Sequence, residues 1–187
     1  MSLFKKIIEL NKNNYNFNLK TKILKYILLF FICSFIGWLY EELLFIFPNF
    51  IIVKRGFLYG PYLPIYGWGS LLMVTLLKRF KKSPEKFFLL AVFIAGTLEY
   101  STGKIMNLIW HRDWWNYSGY LLNIDGYVCL ASAITFGLCG LLLIYLIEPL
   151  IDKMINKTKY TILRNYLIIL IIIYIIDNIF SFNLMIN

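Results

Sequence analysis

The residues able to do chemistry in this chain are carboxylates set in hydrocarbon-like sequence. Glu41 and Glu42 close the first long apolar run, Glu99 interrupts the third, and Asp177 and Asn178 sit in the last. Ionisable side chains at membrane depth are costly, so each marks a functional position. A carboxylate there can hold a cation or a hydrogen-bond-donating solute, or serve as a general base. Arg55 is the natural counterpart, because its planar fork can grip a carboxylate or phosphate, or pair with Glu41 or Glu99. It opens residues 55–67, RGFLYGPYLPIYG, where Tyr59, Tyr62 and Tyr66 supply rings and hydroxyls. Pro64 can begin a helix as its first residue, aiming the positive end of a dipole at those carboxylates or at a bound anion. A further aromatic stretch, residues 110–117, carries the single histidine, His111, with Asp113, Trp115 and Tyr117. Tyr and Trp also gather at bilayer surfaces without any chemistry, which is the plainer reading of the tyrosines and tryptophans. His111, Asp113 and Glu41 lack the spacing of a metal site, so no metal is expected. No nucleophile–base pair and no G-x-x-x-x-G-K-S/T loop occurs. No catalytic residue and no cofactor is assigned.

The elements that must position these groups are membrane helices. Sixty per cent of the 187 residues are hydrophobic, well above the 45–50% typical of soluble domains. A span needs about 20 mostly apolar residues. Five segments qualify, at roughly 24–47, 64–80, 86–110, 128–151 and 162–183. The segment 64–80 is the shortest; it reads as a short span whose Lys78 and Arg79 reach the interface, or as a broken, partly re-entrant helix. The expectation is an all-α, polytopic transmembrane bundle, with a basic segment over residues 1–22 and a single domain over 23–187. Ser2 to Leu19 fits either an interfacial amphipathic helix or a loose tail. Cys33, Cys129 and Cys139 read as small buried hydrophobes.

The net charge of +9 is confined to patches that flank apolar runs, which points to membrane orientation and away from nucleic acid. Of 19 basic residues, 15 lie before or at the start of the first span, or in and around the second-to-third and fourth-to-fifth connections, span ends included. Positive residues stay cytoplasmic, so the N-terminus is expected inside and the C-terminus outside. On that orientation the carboxylates named above lie toward the outer side, and every span with buried charge carries it there. Small and polar residues mark the helix faces that would meet: Cys33, Gly37 and Glu41; Val92, Ala95, Gly96, Glu99, Thr102 and Gly103; Ser132, Thr135 and Cys139; Tyr174, Asp177, Asn178 and Ser181.

Four stretches together, residues 35–41 (FIGWLYE), 55–67, 98–100 (LEY) and 114–118 (WWNYS), resemble the CmpB-like family. These are small bacterial integral membrane proteins named as ABC-transporter permeases of type IV. The resemblance covers roughly residues 30–150. It implies a multi-pass protein of the bacterial cytoplasmic membrane. Glu41, Arg55, Tyr66, Glu99, Tyr100, Trp115 and Tyr117 match the family's motif; with Tyr59 and His111 from the reading of the residues, they make up the expected binding set. The family pattern has an acid where this chain has Asn116, and another near Asn107. A permease without a nucleotide motif needs a separate ATP-binding subunit, and five spans point to a homo- or hetero-oligomer. The other readings are a non-catalytic partner or sensor subunit, or an enzyme acting on a lipid or envelope intermediate.

Overall fold

The computed structural model describes residues 10–11, 15–49, 54 and 56–186, without the side chains of 45–49 and 186. Most of the basic N-terminal segment, and Arg55, lie outside the described residues. The helices are α1 (Leu19–Asn49), α2 (Pro64–Leu72), α3 (Pro84–Trp110), α4 (Leu130–Lys157) and α5 (Tyr160–Ile186). The described residues contain no strand, only an isolated antiparallel bridge between Ile124 and Val128.

Helices α1, α3, α4 and α5 contain apolar stretches of 26, 27, 28 and 26 residues, long enough to cross a bilayer. The expected span at 64–80 is helical throughout but changes character along its length. After α2 comes a π turn over Met73–Leu77 and then a 3-10 turn over Lys78–Phe80. Thr75 Oγ1 donates back to the Leu71 carbonyl at 2.7 Å, a bond that competes with the helical ladder and bends it.

Helix ends follow local chemistry. Asn18 Oδ1 accepts the Thr21 N–H at 2.9 Å and caps α1. Pro84 stands at the start of α3, where its missing N–H has no partner to lose. Cys129 and Ser132 cap α4 reciprocally: the Ser132 N–H donates to Cys129 Sγ at 3.4 Å and the Cys129 N–H to Ser132 Oγ at 3.1 Å. Within α4 a π turn over Leu143–Ile147 precedes Pro149. Pro149 has no N–H to offer the Tyr145 carbonyl. Asn11 Nδ2 donates to that carbonyl instead, at 2.8 Å.

The chain divides into two compact units. The first takes in Trp68–Pro149 with Leu10 and Asn11. Here α3 buries Phe87, Ala91, Ala95, Glu99 and Gly103, every fourth residue along one face. A Cβ added to Gly137 of α4 would lie 2.6 Å from Val92 Cγ2, and one added to Gly140 would lie 3.1 Å from Ala91 Cβ. The two helices meet through small side chains, as expected where lipid removes the hydrophobic drive for association. The second unit takes in the described residues 15–49, 54, 56–67 and 150–186. Here the Tyr174 ring of α5 stands edge-on to Phe30 and Phe31 of α1, with centroids 5.6 and 5.8 Å away. The Leu63 N–H donates to the Ser34 carbonyl at 3.0 Å, tying the turn before α2 to α1.

Buried charge is not restricted to the ends expected to face outward. Lys25 in the second turn of α1 pairs with Asp152 near the end of α4 at 2.7 Å, with side chains only 7% and 14% exposed. Glu148, 1% exposed, pairs with Lys78. Neither acid was among the buried charges expected from sequence. Pairing is what makes their burial tolerable, since either charge alone would forfeit its hydration uncompensated. The three cysteines are free; Cys33 and Cys129 are buried and Cys139 is half-buried.

Candidate functional site

In the first unit the site centres on Glu99. Its side chain is 4% exposed on the buried face of α3. Tyr117 Oη donates to Oε1 at 3.1 Å and Ser132 Oγ to Oε2 at 2.8 Å. The loop 111–129 aims Tyr117. Its N–H donates to the Gly126 carbonyl at 2.8 Å, and Asn116 Oδ1 accepts from the Ser118 N–H at 2.8 Å. Gly126 lies at φ +75°, where L-residues with side chains are strained. One turn along α3, a Cβ on Gly103 would sit 2.8 Å from the Tyr127 ring and 3.0 Å from that of Trp115. Trp115 is fixed there by its Nε1–H donating to the Tyr127 carbonyl at 2.8 Å. The neighbouring Tyr100 hydroxyl donates to Asp125 at 2.8 Å and accepts from Lys104 at 3.0 Å. His111 is exposed, ends α3 at φ 49°, and donates its backbone N–H to Asn107 at 2.7 Å.

The second unit holds a different arrangement around Asp177 of α5. The N–H groups of Tyr59 and Gly60 donate to its two oxygens at 3.1 and 2.9 Å. Tyr62 Oη and Ser181 Oγ add bonds at 2.6 and 3.1 Å. Successive backbone N–H groups converging on one acceptor form a nest for an anion. Burial, then the bond to Asp177, holds the Tyr62 phenol well above the usual tyrosine range. Lys54 Nζ lies 3.3 Å from the centre of the exposed Tyr59 ring. Glu41 is half-buried and accepts from Tyr66 Oη at 2.9 Å. The Tyr66 ring occupies the space a Cβ on Gly37 would need, 2.1 Å away.

The structure therefore brings Glu99 and Tyr117 together, with Trp115 a turn away and Tyr100 in its own cluster. It joins Glu41 to Tyr66 and turns the Tyr59 backbone toward Asp177. Arg55 lies outside the described residues. Among the described residues no three His, Cys, Asp or Glu side chains gather around a common point. Ser132 was not in the expected binding set, although its seam with Thr135 and Cys139 was expected to meet the face that carries Glu99, and it donates to Glu99. Glu42, singled out beside Glu41 but not included in the expected binding set, is 5% exposed, and its Oε2 accepts from nothing among the described residues. The same helical spacing that puts Cys33, Gly37 and Glu41 on one stripe puts Ser34, Trp38 and Glu42 on the next.

Four helices long and apolar enough to cross a bilayer, with hydrogen-bonded carboxylates set along them, define a helical integral membrane protein. The chain belongs to the CmpB family of ABC transporters, described as "Putative ABC-transporter type IV", which it matches over residues 28–182. It is thus a membrane protein of transporter type. No curated protein and no solved structure matches the chain.

Proposed function

We propose that the chain is the permease-like component of a transporter, with a polar binding site centred on Glu99, Tyr117 and Ser132. The observation that carries this reading is the burial of Glu99 on α3, inside an apolar membrane helix, with hydroxyl donors from two other segments. Hydroxyls can rotate toward another acceptor, so the carboxylate can exchange them for a cation or an ammonium-bearing solute. A separate subunit supplies any ATP hydrolysis. The test is uptake of radiolabelled metal cations and amines by vesicles matched for protein abundance. Glu99→Gln should reduce uptake of one class about tenfold, the loss of one charge-assisted interaction. Vesicles containing the chain that take up no more than empty ones, or a fully active Glu99→Gln variant, would sink the reading.

The basic connections support an N-terminus on the cytoplasmic side of the bacterial plasma membrane. If 64–80 crosses, the C-terminus lies outside. An alkaline phosphatase fused after residue 187 should then be active; a reporter active only in the cytoplasm would restrict the crossings to the four long helices. Complete internal satisfaction of Asp177 favours, for the second unit, the alternative role of a structural or partner-binding subunit.

A further inference from the structure

The loop 111–129 of the first unit is turned inside out at its tip. Tyr120, Leu121, Leu122 and Ile124 are each more than half exposed. Asn123, the polar residue among them, is half-buried instead. Its Nδ2 donates to the carbonyls of Ser118 and Tyr120 at 3.2 and 3.0 Å, and its Oδ1 accepts the Gly126 N–H at 3.3 Å. A loop facing water would present the amide and turn the leucines inward. Leu122 also lies at φ 52°, where a bulky side chain is uncommon. So much of that leucine is exposed that the packing of the loop gains little from it. No residue from 114 to 124 is charged.

The backbone fixes the level of this tip. The Leu121 carbonyl accepts the N–H of Leu130, the first residue of α4, at 3.3 Å. The uncharged part of α4, Leu130 to Ile147, rises about 27 Å at roughly 1.5 Å per residue. That is just short of the roughly 30 Å of hydrocarbon in a bilayer. Leu130 must therefore stand at the hydrocarbon boundary for α4 to cross, and the Leu121 backbone stands beside it. An exposed apolar stripe, Leu130, Ile134, Leu138 and Leu142, descends α4 from that same residue.

We propose that Tyr120, Leu121, Leu122 and Ile124 insert into the lipid interface beside the start of α4, as an anchor for the loop that carries Tyr117. Their apolar surface leaves water for the boundary between headgroups and acyl chains, which favours burial there. Tyr120 joins the anchor to the rest of the loop, because its N–H donates to the Tyr117 carbonyl at 2.9 Å. The anchor stands whatever Glu99 binds.

The experiment places a nitroxide on Leu121→Cys, Leu122→Cys or Asp113→Cys in the full-length chain carrying Cys139→Ala. Cys33 and Cys129 are buried and escape the label. Each protein is reconstituted into vesicles of phosphatidylethanolamine and phosphatidylglycerol. Collisions of the label with oxygen, which concentrates in hydrocarbon, are compared with collisions with a water-soluble nickel chelate. Labels at 121 and 122 should lie about 5–10 Å deep, as interfacial apolar residues do. Their oxygen-to-nickel ratio should be several-fold above that at 113, an exposed position outside the uncharged stretch. Both leucines are exposed, so neither substitution disturbs the core, and each label checks the other. Ratios at 121 and 122 no higher than at 113 would put the tip in water. Labels reached by neither reagent would put it under protein, against a second copy of the chain. Either result would overturn the proposal.

Discussion

Glu99 and Asp177 meet the same difficulty by different means. Each is a carboxylate on an apolar helix, and each is met by a tyrosine from an extramembrane turn and by a helix serine: Tyr117 and Ser132 for Glu99, Tyr62 and Ser181 for Asp177. Asp177 has two backbone N–H donors in addition. Backbone donors are fixed in direction by the turn that carries them, and no substitution short of proline removes them. Hydroxyls swing about one bond and serve any acceptor in reach. The first arrangement suits a permanent anchor and the second suits a carboxylate that changes partners. That contrast is why we propose transport chemistry at Glu99.

The harshest way to break the comparison is Asp177→Ala. It strands the donors of Tyr59, Gly60, Tyr62 and Ser181 together, and charge-assisted bonds are each worth about 1.5–3 kcal/mol. Partial access to water offsets part of the loss, leaving an expected cost of about 2–3 kcal/mol in detergent unfolding. Hydrogen exchange at Tyr59 and Gly60 should accelerate in the same variant. Asp177→Asn keeps one carbonyl acceptor and should fall between. Unchanged exchange at those two amides would mean that Asp177 does not hold the turn, and the contrast with Glu99 would collapse.

Much of this was legible in sequence, for reasons that differ by residue. The long apolar runs announced α1, α3, α4 and α5, because a bilayer leaves the backbone few alternatives. The four-residue periodicity announced the small-residue face of α3 through Ala95, Glu99 and Gly103. The stripe Tyr174–Asp177–Ser181 was visible too, but its partner was not. Nothing local in Tyr59-Gly60-Pro61-Tyr62 says that its amides will meet an aspartate 117 or 118 residues away. Glu148 and Asp152 carried no expectation, for a similar reason. A charge near a basic connection reads as solvated until a lysine from another helix is seen to bury it. Arg55, the centre of the most distinctive motif, belongs to the residues whose placement is not described.

Smaller substitutions sharpen the contrast at Glu99. Ser132→Ala removes the 2.8 Å bond to the carboxylate and one half of the α4 capping box. Loss of a cap costs about 0.5–2 kcal/mol, so the expected destabilisation is about 1–2 kcal/mol. Tyr117→Phe removes only the longer 3.1 Å bond and should cost about 1 kcal/mol or less. Its ring remains packed edge-on to Tyr120, 5.7 Å away. If the hydroxyls are interchangeable donors, one can partly cover for the other, and the double variant should cost more than the sum of the singles. Simple additivity in detergent unfolding would mean that each hydroxyl holds Glu99 as rigidly as the Tyr59 and Gly60 amides hold Asp177. The freedom to exchange partners would then be lost, and with it the physical reason for placing transport chemistry at Glu99.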